Sequence, residues 1–150
     1  ALPVRRFGAT AWPENSQTVP FSLITVGWNG DFSTFSPELL GQSCAEFNDF
    51  VLGDVNESGY FSAARGDVFT RLWQGIQAGC RRCESECAYF KYCGGGAPAN
   101  KLYEHGRLDV SETLYCRAMV KRPFEAVLAG IEAGMVQGCP VAVAMGGEDA

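Results

Sequence analysis

The chain has 150 residues, enough for one domain with a buried core, and its hydrophobic fraction of 47% excludes a disordered or fibrous chain. Its net charge of -5 gives no electrostatic support to a nucleic-acid partner. No apolar run approaches the ~20 residues that a membrane span needs, and the first residues lack the layout of a secretory signal.

The first third of the chain predicts a short β-hairpin. Residues 1–19 contain several prolines and no sustained periodicity, which indicates a linker or lead-in segment. Residues 20–36 are rich in β-formers on both sides of Asn29-Gly30, a dipeptide typical of a type I′ turn. Ser36-Pro37 then predicts the start of a helical turn, with Ser36 as its N-cap.

The remainder predicts helices on either side of a cysteine-rich stretch. We expect a helix capped by Asp67 and ending near Ala78, and a last helix that starts near Pro123. Residues 80–116 have few periodic apolar positions, so we expect loops held by ligands. Residues 135–150 predict a flexible tail. The fold class is therefore α+β: a small β-hairpin, cluster-binding loops and flanking helices, with the cluster-binding domain at 20–134.

Cysteine is the most informative residue type. The chain has seven: Cys44, Cys80, Cys83, Cys87, Cys93, Cys116 and Cys139. An odd number without a secretion signal argues against a disulfide framework. Four of them fall within fourteen residues, at 80–93. Such crowding favours metal ligation over a role in core packing.

The surroundings favour an iron–sulfur cluster, with zinc as the open alternative, because thiolates suit both. Three consecutive glycines, Gly94, Gly95 and Gly96, follow Cys93 and would let backbone approach a bulky inorganic core. Basic side chains that could offset the charge of the thiolates are Arg81, Arg82, Lys91 and Arg117. Aromatic side chains that could shield the site from water are Tyr89, Phe90 and Tyr92.

The run CRRCESECAYFKYCGGGAPANKLYEHG, closing with ETLYC, resembles the SPASM domain of radical SAM (S-adenosylmethionine) peptide maturases. The segments STFSPELLG and Asn100 to Glu104 are most similar to the glycine-rich-repeat maturases, relatives of cyclophane-forming enzymes. The resemblance covers roughly residues 17–118. It implies a C-terminal auxiliary-cluster domain of an enzyme that modifies, and by its likeness crosslinks, a ribosomally made precursor peptide in the bacterial cytoplasm.

Typical SPASM domains hold two auxiliary [4Fe-4S] clusters with seven cysteines, and this sequence departs from that pattern. The family's positions for the first auxiliary cluster hold Phe35 and Ala97 here, and residues 14–20 contain no cysteine. The resemblance therefore implies one [4Fe-4S] cluster. Its expected ligands are Cys83, Cys87, Cys93 and Cys116, with Cys80 as the alternative fourth ligand and Gly94, Gly95 and Gly96 around the cluster.

Radical chemistry requires a CxxxCxxC loop, and Cys80, Cys83 and Cys87 are spaced x2 and then x3 instead. We therefore expect no catalytic residue here and no activity from this chain alone. S-adenosylmethionine would bind only to a radical SAM barrel domain, in the parent chain or in trans. The expected partners are that barrel and the precursor peptide. The alternative is a non-catalytic peptide-binding or docking module, stabilised by zinc or a cluster.

A few other polar residues receive ordinary roles. His105, the only histidine, is expected in a solvated loop. Glu104 and Glu112 could contact a peptide, but a surface or helix-capping role is the default. Cys44 is expected to be a small half-buried side chain, and Cys139 an exposed and oxidation-prone one.

Overall fold

The computed structural model describes residues 15–57 and 59–136. Its strands are β1 (Ile24–Val26), β2 (Asp31–Thr34) and β3 (Gly53–Asp54). Its α-helices are α1 (Tyr60–Ala63), α2 (Asp67–Glu86), α3 (Phe90–Cys93), α4 (Pro98–His105), α5 (Leu114–Cys116) and α6 (Arg122–Val136). Three 3-10 turns, Ser16–Thr18, Pro37–Leu39 and Ala45–Phe50, and a π-helical turn at Arg117–Lys121 complete the set. The α+β class is thereby confirmed.

The predicted hairpin is present, but its turn differs from the prediction. Strands β1 and β2 pair antiparallel, with Val26 opposite Phe32, and β3 adds to the far edge of β2. In the connecting turn only Gly30 has a positive φ, of 96°, whereas a type I′ turn needs Asn29 to be positive as well. The type I′ prediction is wrong. Gly27 donates to Asp31 O at 2.7 Å and the chain turns through Gly30, as in three-residue hairpin loops.

The core lies where α2 packs against residues that flank the hairpin and against the 3-10 turn Ala45–Phe50. Phe69 on α2 stacks on Phe21 and on Phe35, with ring centroids 5.4 and 5.9 Å apart. Leu72 and Ile76 follow at helical spacing and are fully buried. Burying side chains of this size contributes about 1.5–3 kcal/mol each. The core therefore fixes α2, and with it everything that α2 carries.

Helix α2 is longer than predicted. Gly66 occupies the N-cap, and Asp67 is the first helical residue, where its charge suits the helix dipole. The helix continues past Ala78 to Glu86, because Cys80 and Cys83 face inward as small apolar side chains while Arg82 and Glu86 pair outside at 3.1 Å. The expectation of loops from residue 80 onward is wrong for this part.

Helix α6 confirms the predicted last helix and follows directly from the π-helical turn. Its apolar positions Val127, Leu128 and Ile131 are exposed. No helix in the described ranges combines the length and hydropathy needed to cross a membrane. Cys139 and most of the predicted tail, like residues 1–14 of the predicted linker, lie outside the described residues.

Candidate functional site

Three helices carry the five candidate thiols. Cys80 and Cys83 lie one turn apart on the buried face of α2, and each is 4% exposed. Cys87 caps the C-terminus of α2, donating its backbone N–H to Cys83 O at 2.9 Å. Cys93 ends α3 and Cys116 ends α5. These last three thiols are half-buried.

The glycine turn after Cys93 lies directly over Cys80. Gly94, Gly95 and Gly96 all have positive φ, of 62°, 104° and 69°. A Cβ on Gly95 would come within 2.8 Å of Cys80 Sγ, so backbone and sulfur are closer here than any side chain would allow. Cys80 Sγ also lies 3.9 Å from Gly94 O. The close backbone approach at Gly95 is thus to the Cys80 thiol, whereas a Cβ on Gly96 would meet no atom within 4 Å.

A buried lysine lies beside Cys83. Lys101 on α4 is 3% exposed, and its Nζ donates to Cys83 Sγ at 3.4 Å. The Cys83 thiol donates in turn to Ser111 O at 2.9 Å. The basic residues expected near the thiols, Arg81, Arg82, Lys91 and Arg117, are all exposed. The buried cation of the site is thus a residue that composition and spacing did not single out.

Cys93 interacts electrostatically with three of the other thiols. Burial raises the pKa of Cys80 and of Cys83, the Lys101 charge acts against it, and the charge of Cys93 raises both further. Burial also raises the pKa of Cys116, and Cys93 and then Cys87 add to that rise. Cys93 therefore lies within electrostatic reach of Cys80, Cys83 and Cys116.

The segment that carries Cys116 is fixed by hydrogen bonds. Thr113 caps α5 by accepting from Cys116 N at 3.0 Å. The Glu104 carboxylate accepts from the backbone of Leu114 and, at 3.1 Å, from that of Tyr115. Glu104 thus has the predicted capping role.

Two neighbouring residues complete this segment. Lys121 pairs with Glu112 at 2.9 Å. His105 is exposed, as predicted, but it is the last residue of α4 and not part of a loop, and its Nε2 lies 2.9 Å from Glu112 O. Polar contacts from α4 and the π-helical turn therefore hold the Cys116 segment from both sides.

The aromatic shield predicted around the site is partial. Phe90 is buried, whereas Tyr92 is 61% exposed and packs on Phe124 with ring centroids 4.3 Å apart. Tyr89 packs edge-on against the same ring, at 6.0 Å. Phe124 thereby attaches the start of α6 to the site.

Cys93 also borders an open polar cleft of about 380 Å³. Asn15 lies at one wall and donates its amide to the carbonyl oxygens of Cys93 and Gly96, at 3.2 and 2.9 Å. Tyr92, Asn100 and Tyr115 line other parts of the cleft. The residues just before the hairpin therefore contribute to the site.

The thiols are suitable donor atoms for a metal centre, although they do not form a preformed binding site. In residues 15–57 and 59–136, no three Cys, His, Asp or Glu side chains converge closely enough to hold a metal ion. The fit rests on two other observations. Cys80 and Cys83 lie against the glycine turn, which directly follows Cys93, and the missing Cβ of Gly95 lets its backbone lie close to Cys80 Sγ. Thiol sulfur is the donor that iron–sulfur clusters and zinc share.

Cys44 stands apart from this group. It is half-buried, as predicted, at the N-cap of the 3-10 turn Ala45–Phe50, and it packs against the core.

Lys101 was not predicted as a site residue, and one sequence signal points to its burial. It follows Pro98 by three positions, so both residues lie on the buried face of α4.

Comparison with known proteins yields one relative without an assigned function. No protein-family model matches the chain, and no solved structure matches it. The chain is 35% identical over 113 residues to an uncharacterized protein of Synechocystis sp.. The match covers 75% of this chain and 28% of that protein, so the chain spans little more than a quarter of the length of its relative.

Proposed function

We propose that this chain is the auxiliary iron–sulfur domain of a radical SAM enzyme that modifies a ribosomally made precursor peptide. The modification implied by the resemblance is a crosslink. Its cluster would be one [4Fe-4S] held by Cys83, Cys87, Cys93 and Cys116, with Cys80 as the alternative fourth ligand. The observation that carries the proposal is the grouping of thiols near the end of α2: Cys80 and Cys83 lie against the glycine turn that follows Cys93, and Cys93 and Cys87 interact electrostatically with Cys116.

The packing supports a site for an anionic cluster. Cys80 and Cys83 lie in the buried layer under Gly94 and Gly95, and Lys101 supplies a buried positive charge next to them. An anion in such a layer is stabilised by a neighbouring cation. As a ligand, Cys83 gives up its proton and its bond to Ser111 O, while it can still accept from Lys101.

A bound [4Fe-4S] cluster supplies one-electron transfer. The chain itself contributes positioning. Thr113 and Glu104 hold the Cys116 segment, and the glycine turn holds Cys93 over α2. The cleft beside Cys93 offers amide and phenol groups to a peptide chain. Radical generation belongs to a barrel domain with its own CxxxCxxC loop, and we place the whole protein in the bacterial cytoplasm.

Metal analysis tests the proposal. Protein purified without oxygen should be brown and contain about four iron and four sulfide per chain. Cys116→Ala should abolish cluster retention, whereas Cys44→Ala should not, since Cys44 lies outside the group. Stoichiometric zinc in the wild type would refute the proposal and favour the docking module.

The ligand set is tested separately. Cys87→Ala should lose iron and Cys80→Ala should retain it. The opposite pattern would assign Cys80 as the fourth ligand in place of Cys87, and the proposal of one [4Fe-4S] cluster would stand.

A further inference from the structure

We propose that Lys101 is a positioning residue that sets the reduction potential of the cluster through its bond to Cys83. The inference rests on the proposed function. It starts from a residue that neither the cysteine spacing nor the resemblance assigns: a lysine on α4 that is 3% exposed, with Nζ 3.4 Å from Cys83 Sγ.

A buried ammonium needs a compensating group, because an isolated charge away from water is strongly disfavoured. The group that the structure places against Lys101 is a sulfur. A thiolate bound to a cluster is a hydrogen-bond acceptor with negative charge, and it matches the ammonium in both respects. A cluster-bound thiolate would therefore stabilise the buried ammonium of Lys101 more strongly than a neutral thiol does.

The fold makes room for this amine. A Cβ on Gly79 of α2 would lie 2.9 Å from Lys101 Nζ, so the glycine leaves the space that the ammonium fills. The stem of Lys101 lies on the face where α4 buries Pro98 and Ala99. Helix α4 therefore positions the amine next to Cys83, and the missing side chain of Gly79 on α2 leaves space for it.

The sign of the effect follows from charge. Reduction adds one electron to the cluster, so a nearby positive charge stabilises the reduced form more than the oxidised form. Hydrogen bonds to cluster sulfurs act in the same direction. Without Lys101 the potential should become more negative. The exposed cations around the site, such as Lys91, are screened by water and should have little effect.

The test is a redox titration with dithionite of the full chain, purified without oxygen and checked first for iron and sulfide. At a fixed potential Lys101→Met should lower the ratio of reduced to oxidised cluster by about tenfold or more, equivalent to about 59 mV for a one-electron couple. Lys101→Arg, which keeps a charged donor, should stay near the wild type. Lys91→Met removes one exposed charge and should leave the ratio unchanged.

The outcomes separate the two proposals. Wild-type protein with zinc or no metal overturns the proposed function, and this inference with it. Wild-type and Lys101→Met proteins with equal iron content and equal potentials overturn the inference alone, as does a shift in Lys91→Met as large as that in Lys101→Met. If Lys101→Met does not fold, Lys101→Gln carries the same comparison, since it removes the charge and keeps a polar side chain.

Discussion

Two glycines on α2 face the same residue and should respond to alanine in opposite ways. A Cβ on Gly79 would overlap the backbone oxygen of Leu108 and would lie 2.9 Å from Lys101 Nζ. A Cβ on Gly75, one turn earlier, would lie 3.1 and 3.2 Å from Cδ1 and Cβ of Leu108. The first contact is with backbone, and the second is with a side chain that can shift by a few tenths of an ångström.

The magnitudes follow from these distances. Unstrained C···O contacts are about 3.3–3.6 Å, so Gly79→Ala forces α2 and the Leu108 turn apart by roughly 1 Å. Overpacking of this kind costs about 1–3 kcal/mol, and we expect the upper part of that range because backbone must move. Alanine recovers up to about 1 kcal/mol of helix propensity at both positions. Gly79→Ala should therefore destabilise by about 2 kcal/mol, and Gly75→Ala should be neutral or slightly stabilising.

Urea unfolding followed by far-UV circular dichroism measures both variants in identical buffers. The difference in free energy of unfolding corresponds to a gap of about 4–8 °C between their melting temperatures. Gly79→Ala should also retain less metal, because its Cβ would displace Lys101 Nζ, the donor to Cys83. Equal stability of the two variants would refute the close packing of α2 on the Leu108 turn.

The Cys116 segment gives two further predictions. Thr113→Ala removes the hydroxyl that accepts from Cys116 N and should cost about 0.5–2 kcal/mol in urea unfolding, whereas Thr113→Ser should stay near the wild type; equal losses would show that the cap is not what matters. The Lys121 hydrogen bond lowers the pKa of Glu112 below its ordinary value near 4.5, so the stability from this pair is present above that value and lost as the pH falls through the lowered pKa. Lys121→Met should be less stable than the wild type by at most about 1 kcal/mol at neutral pH, and the difference should vanish in acid and in a Glu112→Gln background, as thermal melts across pH would show.

The elements that the sequence predicted well are those that depend on local pattern. The hairpin follows from β-formers on both sides of Asn29-Gly30, and the last helix follows from a period-3.6 repeat. The end of α2 could not be placed the same way. From Gly79 to Glu86 the sequence lacks aliphatic residues, and the helix continues because two cysteines occupy buried positions that a pattern search assigns to Leu or Ile.

The candidate site divides along the same line. The five cysteines and the glycine turn were found from spacing and residue type, which are local properties. Lys101 was not, because lysine is usually exposed and its burial depends on α4 lying against α2. The Asn15 contacts to Cys93 and Gly96, 78 and 81 residues away, likewise follow from tertiary packing alone.

The position of α2 links the stability of the core to the geometry of the site. Its first half carries Phe69, Leu72 and Ile76 into the hydrophobic core, and its second half presents Cys80 and Cys83 to the glycine turn. Cys80 belongs to both, since it packs with the core residues and lies 3.9 Å from Gly94 O. Core packing therefore fixes two thiols before any metal binds. The other three thiols lie on Cys87 at the end of α2 and on short helices held by caps and hydrogen bonds, and these are the parts that a bound cluster would have to draw together.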